Sequence, residues 1–193
     1  MLIEVRNRIA VPNSFRVAKV QGLFNVEEKM GGQFDVDVEL PTGEDEWKIG
    51  VIVGPSGSGK SSIGRELGGL GWELWHGKEW GEGAIVDEIG GDDFDEATGA
   101  LAQVGLGTVP SWLRPFGVLS EGEKFRAELA RVLVARPASV VIDEFTSVVD
   151  RQIAQVGAMA FSKAWKRGAG QAILLTCHYD VLPWVGVDWV YDM

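Results

Sequence analysis

Gly54-Pro55-Ser56-Gly57-Ser58-Gly59-Lys60-Ser61-Ser62 gathers residue types that suit phosphate chemistry, in an order that fits G-x-x-x-x-G-K-[ST]. Gly57 and Gly59 let the backbone curl so that successive N–H groups turn inward, beside the positive end of the helix expected from about Lys60 to Leu67. Lys60 adds a mobile charge for β- and γ-phosphates, and Ser61 offers a hydroxyl to Mg²⁺, which takes near-octahedral oxygen ligands. Gly54, Ser56, Ser58 and Ser62 complete the cradle. The apolar run Ile49 to Val53 supplies the strand that such a loop must follow. The stretch therefore predicts a nucleoside triphosphate site.

A second set of candidates lies downstream. Ser139 to Ile142 reads as a buried strand that delivers the adjacent carboxylates Asp143 and Glu144 at its end, and Thr146-Ser147-Val148-Val149-Asp150 leads into a helix reaching about Arg167. Ala172 to Thr176 is a further buried strand, with His178 just beyond it. Leu119-Ser120-Glu121-Gly122-Glu123 opens an amphipathic helix that ends before Pro137. His76 stands in no motif and reads as a surface residue.

The elements that must hold these groups are legible in outline. Phe34, Val36, Val38 and Leu40 alternate with acids, which predicts a strand with one wet face. Leu2 to Val11 and Phe15 to Val20 read as short β-like runs on either side of Pro12-Asn13-Ser14. Trp72 to Trp75 and Ala84 to Val86 are candidate strands, the spacing of Phe94, Ala97, Leu101 and Val104 predicts a helix, and residues 105–115 read as irregular. An antiparallel flank thus leads into a parallel α/β core, with a small helical insert at about 90–120, within one domain spanning 1–193.

Bulk composition narrows the class. A net charge of −10 does not point to a surface built for nucleic-acid backbones. The lone Cys177 allows no internal disulfide, and no apolar run approaches the ~18 residues of a membrane helix. Because Met1 to Arg6 also lacks a signal-peptide pattern, a soluble, cytoplasmic protein is expected.

Taken together, the motifs resemble those of the ATP-binding-cassette (ABC) ATPases. Gly54 to Ser62 is similar to the Walker A loop, Leu119 to Glu123 to the LSGGQ signature, Val140 to Glu144 to Walker B with its glutamate, Ser147 to Asp150 to the D-loop, and His178 to the switch histidine. Asp143-Glu144-Phe145-Thr146-Ser147 and Cys177-His178-Tyr179-Asp180 are similar to a soluble group within that class, some of whose members are fused to a predicted acetyltransferase domain. The resemblance implies a P-loop NTPase fold of ABC-ATPase type and an ATPase that uses ATP and Mg²⁺. Asp143 would hold the metal, Glu144 would polarise the attacking water, and His178 would contact the γ-phosphate. Ser120, Glu121, Gly122 and Glu123 would complete the site of another copy, giving a homodimer with ATP between its subunits. A partner protein or a nucleic-acid process would receive the motion; a P-loop kinase and the ATPase subunit of a transporter are the alternatives.

Four positions depart from the family pattern. No glutamine ends the candidate strand Ala84-Ile85-Val86, where Asp87 or Glu88 is the candidate substitute and Asp87 the expected metal ligand. The adenine-stacking aromatic fits Phe24 best by spacing, ahead of Phe34. Glu121 and Glu123 replace glycine and glutamine in the signature, and Phe145 replaces the usual proline after Walker B.

Overall fold

A computed structural model describes residues 1–8, 10–26, 33–42, 46–75 and 79–193, and these form two compact units, Met1–Thr42 and Gly43–Met193. In the first, β1 (Leu2–Arg8) pairs antiparallel with β2 (Gln33–Glu39), Ile3 opposite Val38 and Val5 opposite Val36. Alternation buries Ile3, Val5 and Val38 on one face, while Arg6 meets Asp37 at 2.5 Å on the other. The run from Phe15 is a helix, not the expected strand: α1 (Phe15–Phe24) starts where the Ser14 side chain accepts from the N–H of Val17 and stops at Asn25 in a left-handed conformation. Two good caps override the weak β preference of Val17 and Val20.

The second unit contains β3 (Ile49–Val53), α2 (Lys60–Gly69), β4 (Glu73–Trp75), α3 (Ile85–Glu88), α4 (Phe94–Gln103), α5 (Val109–Trp112), α6 (Glu121–Ala135), β5 (Ser139–Ile142), α7 (Arg151–Trp165), β6 (Gln171–Thr176), α8 (Val181–Val185) and β7 (Trp189–Asp192). Its five strands are all parallel, in the order β4-β5-β6-β3-β7. Strands covered on both faces must be apolar throughout, and all of β3 and the last five residues of β6 are buried. Val53 registers with Thr176 and Ile142 with Leu174, so the loops after β3, β5 and β6 leave the same edge side by side. In open parallel sheets that edge is where ligands bind.

Two further expectations are corrected. Ala84 to Val86 is not a strand but leads into the single turn α3, and the strand beside β5 is β4, with Trp75 opposite Ile142. Within 105–115 the chain makes the one-turn helix α5, with Pro110 in its first turn, where no N–H is needed. Both errors concern segments of three or four residues, too short for periodicity to distinguish.

Packing then fixes the site's supports. A Cβ on Gly122 would lie 2.7 Å from Ile153 Cδ1, and one on Gly157 would lie 2.6 Å from Phe125 Cε1, so the two glycines allow α6 and α7 to approach closely. Phe125, Phe145, Phe161 and Trp165 form a continuous aromatic row with centroids 6.0, 6.1 and 5.6 Å apart. Asp188 clamps β3 by accepting from the N–H groups of Lys48 and Ile49, both at 2.8 Å; partial burial pushes its carboxyl up, but these two bonds together with the charges of Lys166 and Lys48 leave the pKa lowered.

Candidate nucleotide-binding site

The loop after β3 curls as its glycines require: Gly57 has φ 81° and Gly59 has φ 99°, and Gly59 caps α2. Lys60 points back into the loop, its Nζ donating to the carbonyls of Gly54 and Pro55 at 2.7 Å each. A cavity of about 290 Å³ opens there, lined by Ser56, Gly57, Gly59 and Lys60 through Ser62 from the loop, and by Asp143, Glu144 and Ser147 from the end of β5 and the turn beyond it. Two distant stretches of sequence are thus brought to one place. Ser61 and Asp143 are hard oxygen donors of the kind Mg²⁺ takes, and both line this cavity.

The carboxylates are held by the turn that follows them. Asp143 Oδ1 accepts from the N–H of Glu144 at 2.8 Å, and the N–H of Ser147 donates to the carbonyl of Glu144 at 2.9 Å. Asp150 caps α7 by accepting from the N–H groups of Gln152 and Ile153. Leu175, Thr176 and Cys177 close the far wall of the cavity. Cys177 carried no expectation of a site role; its place directly after a buried strand at the binding edge was the available signal. His178 follows at the same edge, its N–H bonded to Thr176 Oγ1 at 3.1 Å, but it does not line the cavity.

The signature is built differently. Ser120 caps α6 in a reciprocal box with Glu123: Ser120 Oγ accepts from the N–H of Glu123, whose carboxylate accepts from the N–H of Ser120. Buried Ser111 donates to Glu123 Oε1 at 2.5 Å, and with the Ser120 bonds it lowers the carboxyl pKa to about 2. Glu121 pairs with Lys124 at 2.8 Å. Ser120, Glu121, Gly122 and Glu123 do not line the P-loop cavity of their own chain.

The acidic pair expected near the metal stands apart from this cavity's lining. Glu88 accepts from the N–H groups of Gly81 and Gly83, and neither Asp87 nor Glu88 lines the cavity. Because β4 rather than 84–86 lies beside β5, the register that motivated the pair falls earlier in the chain. Phe24 ends α1 with its ring 72% exposed, in the other unit. The side chain of Phe34, and all of His76, lie outside the described residues.

A glycine-rich loop between a central parallel strand and a helix, facing a second strand end with adjacent carboxylates, defines a P-loop NTPase fold. No protein-family model matches the chain. The hemin import ATP-binding protein HmuV of Streptomyces coelicolor is 30% identical over 155 residues, 60% of this chain and 53% of that one. The cytochrome c biogenesis ATP-binding export protein CcmA of Mesorhizobium japonicum is 30% identical over 138 residues, 52% of this chain and 64% of that one. The chain thus spans between about half and two thirds of these relatives' length. Among solved structures, the ATP-binding cassette MJ0796 in a dimeric post-hydrolysis state with ADP and Pi has a similar fold, with a TM-score of 0.65 at 14% identity, covering 95% of this chain and 91% of that one. The chain thus has the P-loop fold of an ABC-ATPase cassette, and the curated proteins it is similar to are ATP-binding proteins.

Proposed function

We propose that the chain binds ATP with Mg²⁺ and hydrolyses it, two copies joining head to tail around the nucleotides. The convergence of Lys60, Ser61, Asp143 and Glu144 on one cavity carries this reading. Lys60 exchanges its two carbonyl bonds for phosphate oxygens, while the N–H groups at the start of α2 hold the rest of the triphosphate. Ser61 and Asp143 would hold Mg²⁺, which would supply positive charge to offset that of the γ-phosphate. Glu144 polarises the attacking water, and His178 contacts the γ-phosphate from the adjacent strand end.

Support for the dimer comes from the signature. Ser120 stands exposed at a helix N-terminus outside its own chain's P-loop cavity, with buried Gly122 two residues on, so that terminus is available to a facing nucleotide. MJ0796, similar in fold, is described as dimeric. Units 1–42 and 43–193 then act as one ATPase domain in the cytoplasm.

The output passes to a partner protein. Between Lys78 and Arg114 the only charged residues are Glu79, Glu82, Asp87, Glu88, Asp92, Asp93, Asp95 and Glu96, of which Glu96 is paired with Arg136, an acidic stretch that suits a cationic partner better than nucleic-acid phosphates. A second reading, as the ATPase subunit of a transporter, is favoured by the relatives, which are named as import and export ATP-binding proteins. A kinase would need no signature. Among the described residues no helix is long and apolar enough to cross a membrane.

Calorimetry with ATP and Mg²⁺ tests the site. Lys60→Ala is expected to lower affinity by about tenfold or more without changing the unfolding temperature. Wild-type affinity in the folded variant would remove the P-loop reading, and phosphate release without an acceptor separates hydrolysis from phosphoryl transfer.

A further inference from the structure

Between β5 and α7 the chain turns through two non-glycine residues in left-handed conformations, Glu144 at φ 50° and Thr146 at φ 69°. For a β-branched threonine this is a strained conformation, which persists only where the surroundings over-determine it. Thr146 is buried, and two anchors hold the turn around it. One is the N–H of Phe145, which donates to the carbonyl of Leu175.

The other anchor is Arg151, the first residue of α7. Its Nε and Nη2 donate to the two carboxylate oxygens of Asp180 at 3.0 and 2.5 Å. Its Nη1 reaches the Oγ1 and carbonyl oxygen of Thr146 at 3.4 and 3.5 Å, and its Cζ sits 4.9 Å from the centroid of the Trp184 ring. The planar guanidinium therefore bridges two loops. Thr146 lies two residues beyond Glu144, and Asp180 two beyond His178.

We propose that Arg151 is a positioning residue that clasps the Walker B turn to the loop of the switch histidine, keeping Glu144 and His178 in register for hydrolysis. The inference rests on the ATPase reading above. Magnitudes favour positioning over stability: the side chains of Arg151 and Asp180 are 37% and 47% exposed, and ion pairs that wet add little to folding. Displacing a reacting group by a fraction of an ångström can cost far more in rate. Lysine keeps the charge but cannot make the two-toothed contact while also reaching Thr146.

Steady-state ATP hydrolysis in Arg151→Lys, Arg151→Ala and Asp180→Asn tests the clasp. Each variant is expected to lower kcat by about tenfold or more, with KM within about twofold of wild type. Combining Arg151→Ala with Asp180→Asn should lose no more than the worse single change, since both break one contact. A kcat within about twofold of wild type in both Arg151→Lys and Asp180→Asn, or losses that multiply in the double variant, would overturn the proposal. If the wild-type chain releases no phosphate, the ATPase reading fails by itself. The clasp is then judged by amide hydrogen exchange at 145–149: Arg151→Lys should exchange about tenfold faster, and unchanged protection would overturn it.

Discussion

The backbone N–H of Phe145 donates to the carbonyl oxygen of Leu175 at 2.8 Å, so the residue after Glu144 is bonded to the strand that leads to His178. A proline, the residue the family pattern has here, could not make this bond. The Phe145 ring is 1% exposed and sits in the aromatic row between Phe125 and Phe161. Phe145→Leu keeps the N–H and most of the volume, and should cost less than ~1.5 kcal/mol. Phe145→Pro loses both the ring and the donor and should cost about 3 kcal/mol or more. Urea unfolding of the two variants measures the difference; equal midpoints would show that the strand bond contributes nothing.

Gly122 makes a prediction about packing. Ile153 Cδ1 would stand 2.7 Å from an added methyl, so Gly122→Ala should destabilise the chain by about 1–3 kcal/mol through the α6–α7 crossing. Ile153→Val removes that methyl, and the double variant should be more stable than the sum of the singles. Thermal unfolding of all three proteins decides it: strict additivity would mean that the helices part rather than clash.

Glu123 gives the chain a pH dependence of known sign. Ser111 and Ser120 bind the ionised form, so the folded pKa falls from 4.5 to about 2. A lowered carboxyl pKa stabilises the folded state fully above 4.5, and that contribution is lost as pH falls toward 2. The side chain is partly exposed, so solvent limits the effect to on the order of 1 kcal/mol. Relative to Glu123→Gln, the wild type should lose stability as pH falls from 4.5 toward 2 in urea titrations; parallel curves would show that Ser111 adds no charge-dependent bond.

How much was legible follows from which constraints are local. The glycine-rich loop, the carboxylate pair at a strand end and the capped helix at Ser120 could be read because each depends on residue types within a few positions, and β3, β5 and β6 because strands buried on both faces must be apolar. Other features depended on relations between distant segments. The choice of β4 over 84–86 is made by pairing with β5, which nothing in either segment announces. Asp87 was expected to end a strand at that edge, but 84–86 is not a strand and Asp87 does not line the cavity. Val17 and Val20 looked extended, but the Ser14 cap decided for a helix. Arg151 looked like an ordinary first helical residue; only the fold brings Asp180 and Trp184 to it.

The dimer reading is tested through Glu144 and Ser120. Glu144 is exposed at the cavity's rim and carries the charge assigned to the attacking water, whereas Ser120 stands outside that cavity with its hydroxyl bonded to Glu123 at 2.7 Å. Glu144→Gln keeps the shape and removes the charge, so ATP should remain bound and uncleaved. The variant should then accumulate as a dimer with ATP and Mg²⁺ and stay monomeric with ADP. Adding Ser120→Arg places bulk where a facing γ-phosphate must sit and also removes the cap of α6, so Ser120→Ala serves as the control for the cap alone. Arginine should abolish the dimer, while alanine should weaken it less. Size-exclusion chromatography with light scattering reads each state at one protein concentration. A Glu144→Gln chain that binds ATP yet stays monomeric through the micromolar range would refute the shared site, and phosphorylation of an acceptor by that monomer would move the assignment to the kinase alternative.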